Sequence, residues 1–209
     1  MTIVLLSGKQ GAGKTAIQNK LLLAAGRAGF EAAYALNFAD GLYAIHDIVN
    51  YGLKELGIVP KSKKDRVLLQ LLGTEWGRKV YGENIWVRML KQKISDLRTL
   101  EQKALVIVGD CRFENEFDAF PEALRVRLVA AEHVRRARAI SFGDPHHASE
   151  TQLDCYAYNG LFDMNLRTDG NVGPDGTVEL ILAQLQKSNW RERRGAWVEV
   201  QSLNGAPNA

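Results

Sequence analysis

An α/β fold around a parallel sheet is predicted by three features of the sequence. The run Thr2-Ile3-Val4-Leu5-Leu6-Ser7 is short, apolar and β-prone, as a strand buried on both faces requires. The glycine-rich stretch Gly8-Lys9-Gln10-Gly11-Ala12-Gly13-Lys14-Thr15 follows directly, and then Ile17, Leu21, Leu22 and Ala25 fall on one helix face. A second near-continuous apolar run, Ala104 to Asp110, comes much later and again leads into a polar turn and a helix. Strand, tight turn and helix in repetition is the pattern of βα units closing a parallel sheet.

The glycine-rich stretch fits G-x-x-x-x-G-K-[ST], the phosphate-binding P-loop, and it stands between a strand and a helix as that loop must. At average composition the pattern arises by chance in a chain of this size roughly once in a hundred. Its glycines let backbone N–H groups wrap a phosphate chain, and the helix start adds partial positive charge. Gly11, Ala12, Gly13, Lys14 and Thr15 are therefore expected to hold ATP, with Lys14 on the β- and γ-phosphates and the Thr15 hydroxyl on Mg²⁺.

Composition sets the limits. The chain has 209 residues, 46% hydrophobic and 24% charged, enough for one α/β domain with an insertion. A net charge of +3 suits an anionic ligand and is too mild for a duplex-DNA binder, so no specific nucleic-acid partner is expected. No signal peptide or membrane-spanning apolar run is legible, which makes a cytoplasmic location and no membrane partner the expectation. Cys111 and Cys155 are read as reduced.

Along the chain, Ala32 to Phe38 reads as a second strand. Asp40 then caps a helix carrying Leu42, Ile45, Ile48, Val49 and Leu53, and by its place beyond a strand end it is equally a candidate site residue. Residues 61–100 read as helical. Lys61, Lys63 and Lys64 read as a solvated loop. Arg66–Tyr81 and Asn84–Leu100 read as two helices, the second with a core stripe of Trp86, Leu90, Ile94 and Leu97. Gly73-Thr74-Glu75-Trp76-Gly77-Arg78 is unusual inside a helix, since each glycine costs about 1 kcal/mol relative to alanine. The favoured reading is close approach of a ligand: Arg78 for phosphate, Trp76 for a base, Glu75 for a base or sugar group. A kinked helix with a surface ion pair is the alternative.

Asp110, ending its strand, stands where a P-loop fold places the acidic residue that orients Mg²⁺. Leu124–Val129 alternates as a fourth strand and Phe162–Leu166 as a fifth; Thr177–Leu185 reads as the last helix. Arg135, Arg136 and Arg138 lie between those strands, where a lid could carry positive charge onto a transferring phosphoryl group, with His147 and Glu150 tying the lid down. The basic end, with Trp190, Arg191, Arg193 and Arg194, reads as a solvated tail.

This order resembles the nucleoside monophosphate kinases, and several strings are similar to the bacteriophage-type deoxynucleoside monophosphate kinases. They are Phe38-Ala39-Asp40, Gln70 with Gly73 to Arg78, Trp86-Val87, Asp110-Cys111-Arg112-Phe113 with Asn115-Glu116, and His147-Ala148-Ser149-Glu150. The resemblance implies a five-stranded parallel sheet flanked by helices in one kinase domain over residues 1–188. Residues 40–100 would form a helical acceptor-binding insertion, 131–155 an arginine-bearing lid and 189–209 a basic tail. It implies transfer of the γ-phosphoryl of ATP to a deoxynucleoside 5′-monophosphate. Thr15 and Asp110 would serve Mg²⁺. Arg66, Arg78 and Arg112 would clamp the acceptor phosphate, with Gln70, Glu75 and Trp76 by sugar and base and Asp40 nearby. Lys14, Arg112 and the three lid arginines would act on the transferring group. The resemblance also admits a homodimer. Another P-loop small-molecule kinase, or an ATPase module of a nucleic-acid machine, shares the P-loop and is the competing expectation.

Overall fold

The computed structural model describes residues 1–59, 65–101, 103–139 and 144–187, and of Arg66 the backbone alone. The apolar runs become a five-stranded sheet of order β2-β3-β1-β4-β5. Its strands are β1 (Thr2–Ser7), β2 (Ala32–Leu36), β3 (Ala104–Cys111), β4 (Leu124–Val129) and β5 (Met164–Arg167). β1 pairs in parallel with β3 on one side and β4 on the other, and β4 pairs in parallel with β5. Ile3 to Leu6 and Ala104 to Val108 are buried throughout, which explains their unbroken hydrophobicity.

Two compact units divide the chain, Met1–Ala35 with Lys103–Ala209, and Leu36–Gln102. In the first, α1 (Lys14–Ala24) and α10 (Gly173–Gln186) pack on the sheet and on each other. Ile17, Leu21, Val178, Ile181 and Leu182 join Leu105, Ile107 and Val126 in one core. Gln18 fixes α1 to β3 by donating its Nε2–H to the Ile107 carbonyl at 2.9 Å. The chain leaves β1 for one side of the sheet and later fills the other, so β1 marks the crossover point. Ligands of open α/β sheets bind beyond the carboxyl end of such a strand, and the P-loop begins there.

The same unit carries α6 (Glu114–Asp118), α7 (Glu132–Arg138), α8 (Ala148–Thr151) and α9 (Asp154–Tyr158). The second unit holds α2 (Asp40–Glu55), α3 (Arg66–Gln70), a π-helical stretch (Leu71–Arg78), α4 (Lys79–Tyr81) and α5 (Ile85–Leu100). Trp86, Leu90 and Ile94 are buried as their stripe predicts.

Several sequence expectations need correcting. β2 stops at Leu36, two residues short of the predicted end, and β5 starts at Met164. Asp40 is the first residue of α2 and Ala39 its cap; the Asp40 carboxylate reaches back to accept the Asn37 backbone N–H at 2.9 Å. On α2, Ile48 is 70% exposed while His46 is fully buried, its ring hydrogen-bonded with Asn50 one turn on. Lys61, Lys63, Lys64 and the basic tail lie outside the described residues. Among the described residues no helix is long and apolar enough to cross a membrane.

Candidate active site

The P-loop leaves β1 at Ser7 and enters α1 at Lys14. Gly11 and Gly13 take positive φ, +79° and +91°, a conformation that L side chains rarely adopt. A Cβ on Gly11 would lie 2.4 Å from the Arg135 carbonyl oxygen, so glycine is also required for space. Gly13 caps α1, which directs the helix N-terminus at the loop's interior.

Lys14 is 9% exposed and donates to the Gly8 carbonyl and, at 3.1 Å, to the Lys9 carbonyl. Burial above all, then the Arg112 and Arg127 guanidinium groups, lower its pKa to about 7; Glu150 and Asp110 oppose them. An ammonium so placed gains most from a polyphosphate. Thr15 is exposed at the first turn of α1, and Asp110 is half-buried near the end of β3. Among the described residues no group of three or more carboxylate, imidazole or thiol side chains is arranged to hold a metal. One hydroxyl and one carboxylate, completed by phosphate oxygens and water, is the donor set Mg²⁺ usually takes in phosphoryl-transfer sites. Thr15 and Asp110 fit that requirement.

Arg112 follows β3. Its backbone N–H and that of Phe113 donate to the Glu116 carboxylate at 2.8 and 3.2 Å, which fixes the turn. Its guanidinium donates to Glu150 at 2.7 Å and to Ser149 Oγ at 3.3 Å. The neighbouring Cys111 thiol is fully buried, and burial pushes its pKa well up, so it serves packing.

The three arginines of α7 have three different fates. Arg135 is buried and donates to the Gln10 carbonyl at 3.1 Å, bracing the P-loop from outside. Arg138 grips Thr168 at the end of β5, through the hydroxyl at 3.1 Å and the carbonyl at 2.9 Å. The Thr168 hydroxyl in turn donates to the Ala12 carbonyl at 2.9 Å. Arg136 is half-exposed and pairs with Glu132 one turn earlier at 2.7 Å. Asp169 secures the start of this segment by accepting the Ala131 N–H at 2.6 Å, which lowers the Asp169 pKa.

Two residues of this site had no signal in the sequence. Arg127 on β4 is buried; it donates to Ser7 Oγ at 3.0 Å and to Asp154. Asp154 also pairs with Lys9 of the P-loop at 2.8 Å. Arg127 shows only as one polar residue in an alternating strand, and its partners lie 120 and 27 positions away in sequence.

Gln70, Glu75, Trp76 and Arg78 belong to the second unit, as do Asp40 and Arg66. Glu75 pairs with Lys79 at 2.5 Å on the surface, and Trp76 meets Tyr81 edge to face with centroids 4.9 Å apart. Arg78 is mostly buried and lies 3.7 Å from Glu83. Asp40 lies 3.7 Å from Lys93. Gly77 has a packing reason. A Cβ on Gly77 would sit 2.5 Å from the Trp86 ring, and the Trp86 indole N–H donates to the Gly73 carbonyl at 3.1 Å. Close approach is real here, and what approaches is Trp86.

No family model matches the chain. Over 86 residues it is 34% identical to a protein of Escherichia phage T5 described as a deoxynucleoside-5′-monophosphate kinase. That match takes in 38% of this chain and spans about a third, 33%, of the relative's length. Among solved structures, TT1252 from Thermus thermophilus superposes with a TM-score of 0.57 at 18% identity, over 88% of this chain and 97% of that one. At that identity the likeness speaks for the fold alone. A shikimate kinase from Bacteroides thetaiotaomicron reaches a TM-score of 0.44 at 11% identity, over 88% and 98% of the two chains, and adds no argument.

The chain resembles the phage deoxynucleoside monophosphate kinases. Its fold is a P-loop α/β fold with a five-stranded parallel sheet flanked by helices. The strings that carry the kinase resemblance receive local reasons from the geometry. In Asp110-Cys111-Arg112-Phe113 with Asn115-Glu116, the final glutamate shapes the turn that presents Arg112. In His147-Ala148-Ser149-Glu150, His147 caps α8 by accepting the Ser149 N–H, and Glu150 faces Arg112 and the P-loop.

Proposed function

We propose that this protein is an ATP-dependent kinase that transfers the γ-phosphoryl group of ATP to a deoxynucleoside 5′-monophosphate, releasing ADP and the deoxynucleoside diphosphate. The observation that carries this reading is the buried Lys14, held at the mouth of a P-loop beside Arg112. Phosphoryl transfer asks a protein chiefly for positioning and for charge neutralisation, and these residues supply both.

In the proposed reaction the loop N–H groups and Lys14 hold the donor phosphates. Thr15 and Asp110 would hold Mg²⁺, which would supply neutralisation of the phosphate charge. Arg112 serves both the acceptor phosphate and the transferring group. Arg135 and Arg138, anchored on Gln10 and Thr168, keep the donor side of the loop in shape. In the second unit Arg66 and Arg78 clamp the acceptor phosphate, with Gln70, Glu75, Trp76 and Asp40 around its sugar and base. The acceptor oxygen attacks the γ-phosphorus as the bond to the bridging oxygen breaks, and ADP carries away the electron pair. A cytoplasmic location and a homodimer belong to the same proposal.

The test is ADP formation from ATP and Mg²⁺ with each deoxy- and ribonucleoside monophosphate in turn, beside a control without acceptor. Turnover with one or more deoxynucleoside monophosphates is expected. Turnover with no monophosphate, but with acceleration by added DNA, would replace this reading with an ATPase module.

A further inference from the structure

Glu150 reaches into the candidate site from α8. One carboxylate oxygen accepts the backbone N–H of Gln10, within the P-loop, at 2.6 Å. The other accepts from the Arg112 guanidinium at 2.7 Å, and the side chain is only 9% exposed. Of the carboxylates facing Lys14, Glu150 exerts the stronger attraction, ahead of Asp110. A loop amide, an arginine and a buried lysine around one anionic group is the donor set that a terminal phosphate takes in a P-loop site.

The carboxylate comes from a short piece of chain with its own second anchor. Four residues on, Asp154 pairs with Lys9 at 2.8 Å and with Arg127. Two acidic side chains of the α8–α9 segment thus clasp two consecutive P-loop residues, Lys9 and Gln10. Glu150 and a triphosphate cannot use the Gln10 N–H and Arg112 together, and as like charges they repel at this distance.

We propose that Glu150 is a built-in phosphate surrogate: its carboxylate holds Gln10 and Arg112 until the terminal phosphate of the donor nucleotide displaces it. Expulsion of Glu150 loosens the α8–α9 clasp and hands Arg112 to the reacting phosphates, so donor binding and the arming of Arg112 are one event. The inference rests on the P-loop binding a nucleoside triphosphate, and it adds a restraint on that binding.

The test measures equilibrium binding of ATP, of inorganic triphosphate and of adenosine to the full chain and to Glu150→Gln and Glu150→Ala. Losing a charge-assisted contact that the ligand must break should tighten ATP and triphosphate by roughly ten- to a hundredfold. Adenosine, with no phosphate, should bind all three proteins alike. Equal or weaker triphosphate binding by both variants overturns the proposal and leaves the kinase reading standing. Triphosphate binding to none of the three proteins overturns both. A measurement on the unaltered chain stands apart from variant folding: ATP should speed amide hydrogen exchange across residues 148–158. Unchanged or slower exchange there refutes the displacement.

Discussion

Gly73 and Gly77 lie one turn apart in the same helical stretch, and replacing each by alanine should move stability in opposite directions. Alanine inside a helix is favoured over glycine by about 1 kcal/mol. At Gly73 the added methyl would meet the end of the Leu42 side chain, Cδ2 at 3.1 Å and Cδ1 at 3.8 Å, and a leucine terminus can give by the few tenths of an ångström required. Gly73→Ala should therefore be neutral or stabilising by about 0.5–1 kcal/mol. At Gly77 the methyl would lie 2.5 Å from the Trp86 ring and 2.7 Å from the Leu72 carbonyl oxygen. The Trp86 indole cannot simply rotate away, because it is 4% exposed and its N–H is committed to the Gly73 carbonyl. Leu72 lies five residues back, in the position of a π-helical acceptor, so relief there means unwinding the π-turn. Overpacking of this kind costs about 1–3 kcal/mol, more than the helix gain on most of that range. At about 2–4 °C per kcal/mol for a chain of this size, Gly77→Ala should melt several degrees lower and Gly73→Ala at or slightly above the parent. Thermal melting followed by circular dichroism reads both. A Gly77→Ala protein melting at or above the parent, with a raised acceptor KM, would refute the packing argument and return both glycines to the ligand.

The remaining predictions concern charge. Lys14→Ala should lower turnover by orders of magnitude with the far-ultraviolet spectrum unchanged; near-normal turnover would remove Lys14 from the phosphates. The Lys14 pKa of about 7 lies below its unfolded value near 10.5, so the unfolded chain binds more protons between those limits and Lys14 makes stability rise with pH there. Polyphosphate binding reverses the shift, so at pH 8 ATP should bring about one proton into the site, read from calorimetric enthalpies in buffers of different ionisation heat; no uptake would contradict the burial. Arg138→Ala frees Thr168, whose hydroxyl holds the Ala12 carbonyl of the P-loop, and should raise the KM for ATP; an unchanged KM would separate α7 from the loop. Arg78→Ala should chiefly raise the acceptor KM, and an unchanged KM would take it out of the clamp.

β1 and β3 were legible because burial on both faces leaves few polar positions: Val4, Leu6, Leu105 and Ile107 could be little else. The P-loop was legible because its chemistry is local, with loop, lysine and hydroxyl inside eight residues. Helix α2 was less so. The apolar pattern put Ile48 on the covered face, and a histidine took that burial because Asn50 satisfies its ring one turn away. Gly77 announced a close approach without naming the visitor, since a ligand and a neighbouring indole ask the same of a helix. A glycine reports space, and the occupant is a tertiary fact.

The charges around Lys14 show why site residues are harder to read than strands. Arg127 and Arg125 alternate along β4 as solvent-facing residues would, yet both turn inward, Arg127 onto Ser7 and Asp154, Arg125 over the Phe117 ring at 4.2 Å. Removing one partner from a fully buried ion pair costs about 3–5 kcal/mol, and the cost here is smaller because Asp154 is 41% exposed and water can reach its side of the pair. Arg127 thus depends on a residue in α9, and the geometry of the P-loop entrance depends on Arg127 through Ser7. The same logic governs Lys14, Arg112 and Glu150. A site built to receive several negative charges must carry surplus cations, and those cations need partners of their own in the fold. Glu150 and Asp154 supply that compensation from one short segment placed against the loop. Under the proposed displacement, the Glu150 carboxylate that stabilises this loop also opposes its affinity for nucleotide, because the contacts it holds on Gln10 and Arg112 are the ones the ligand would take.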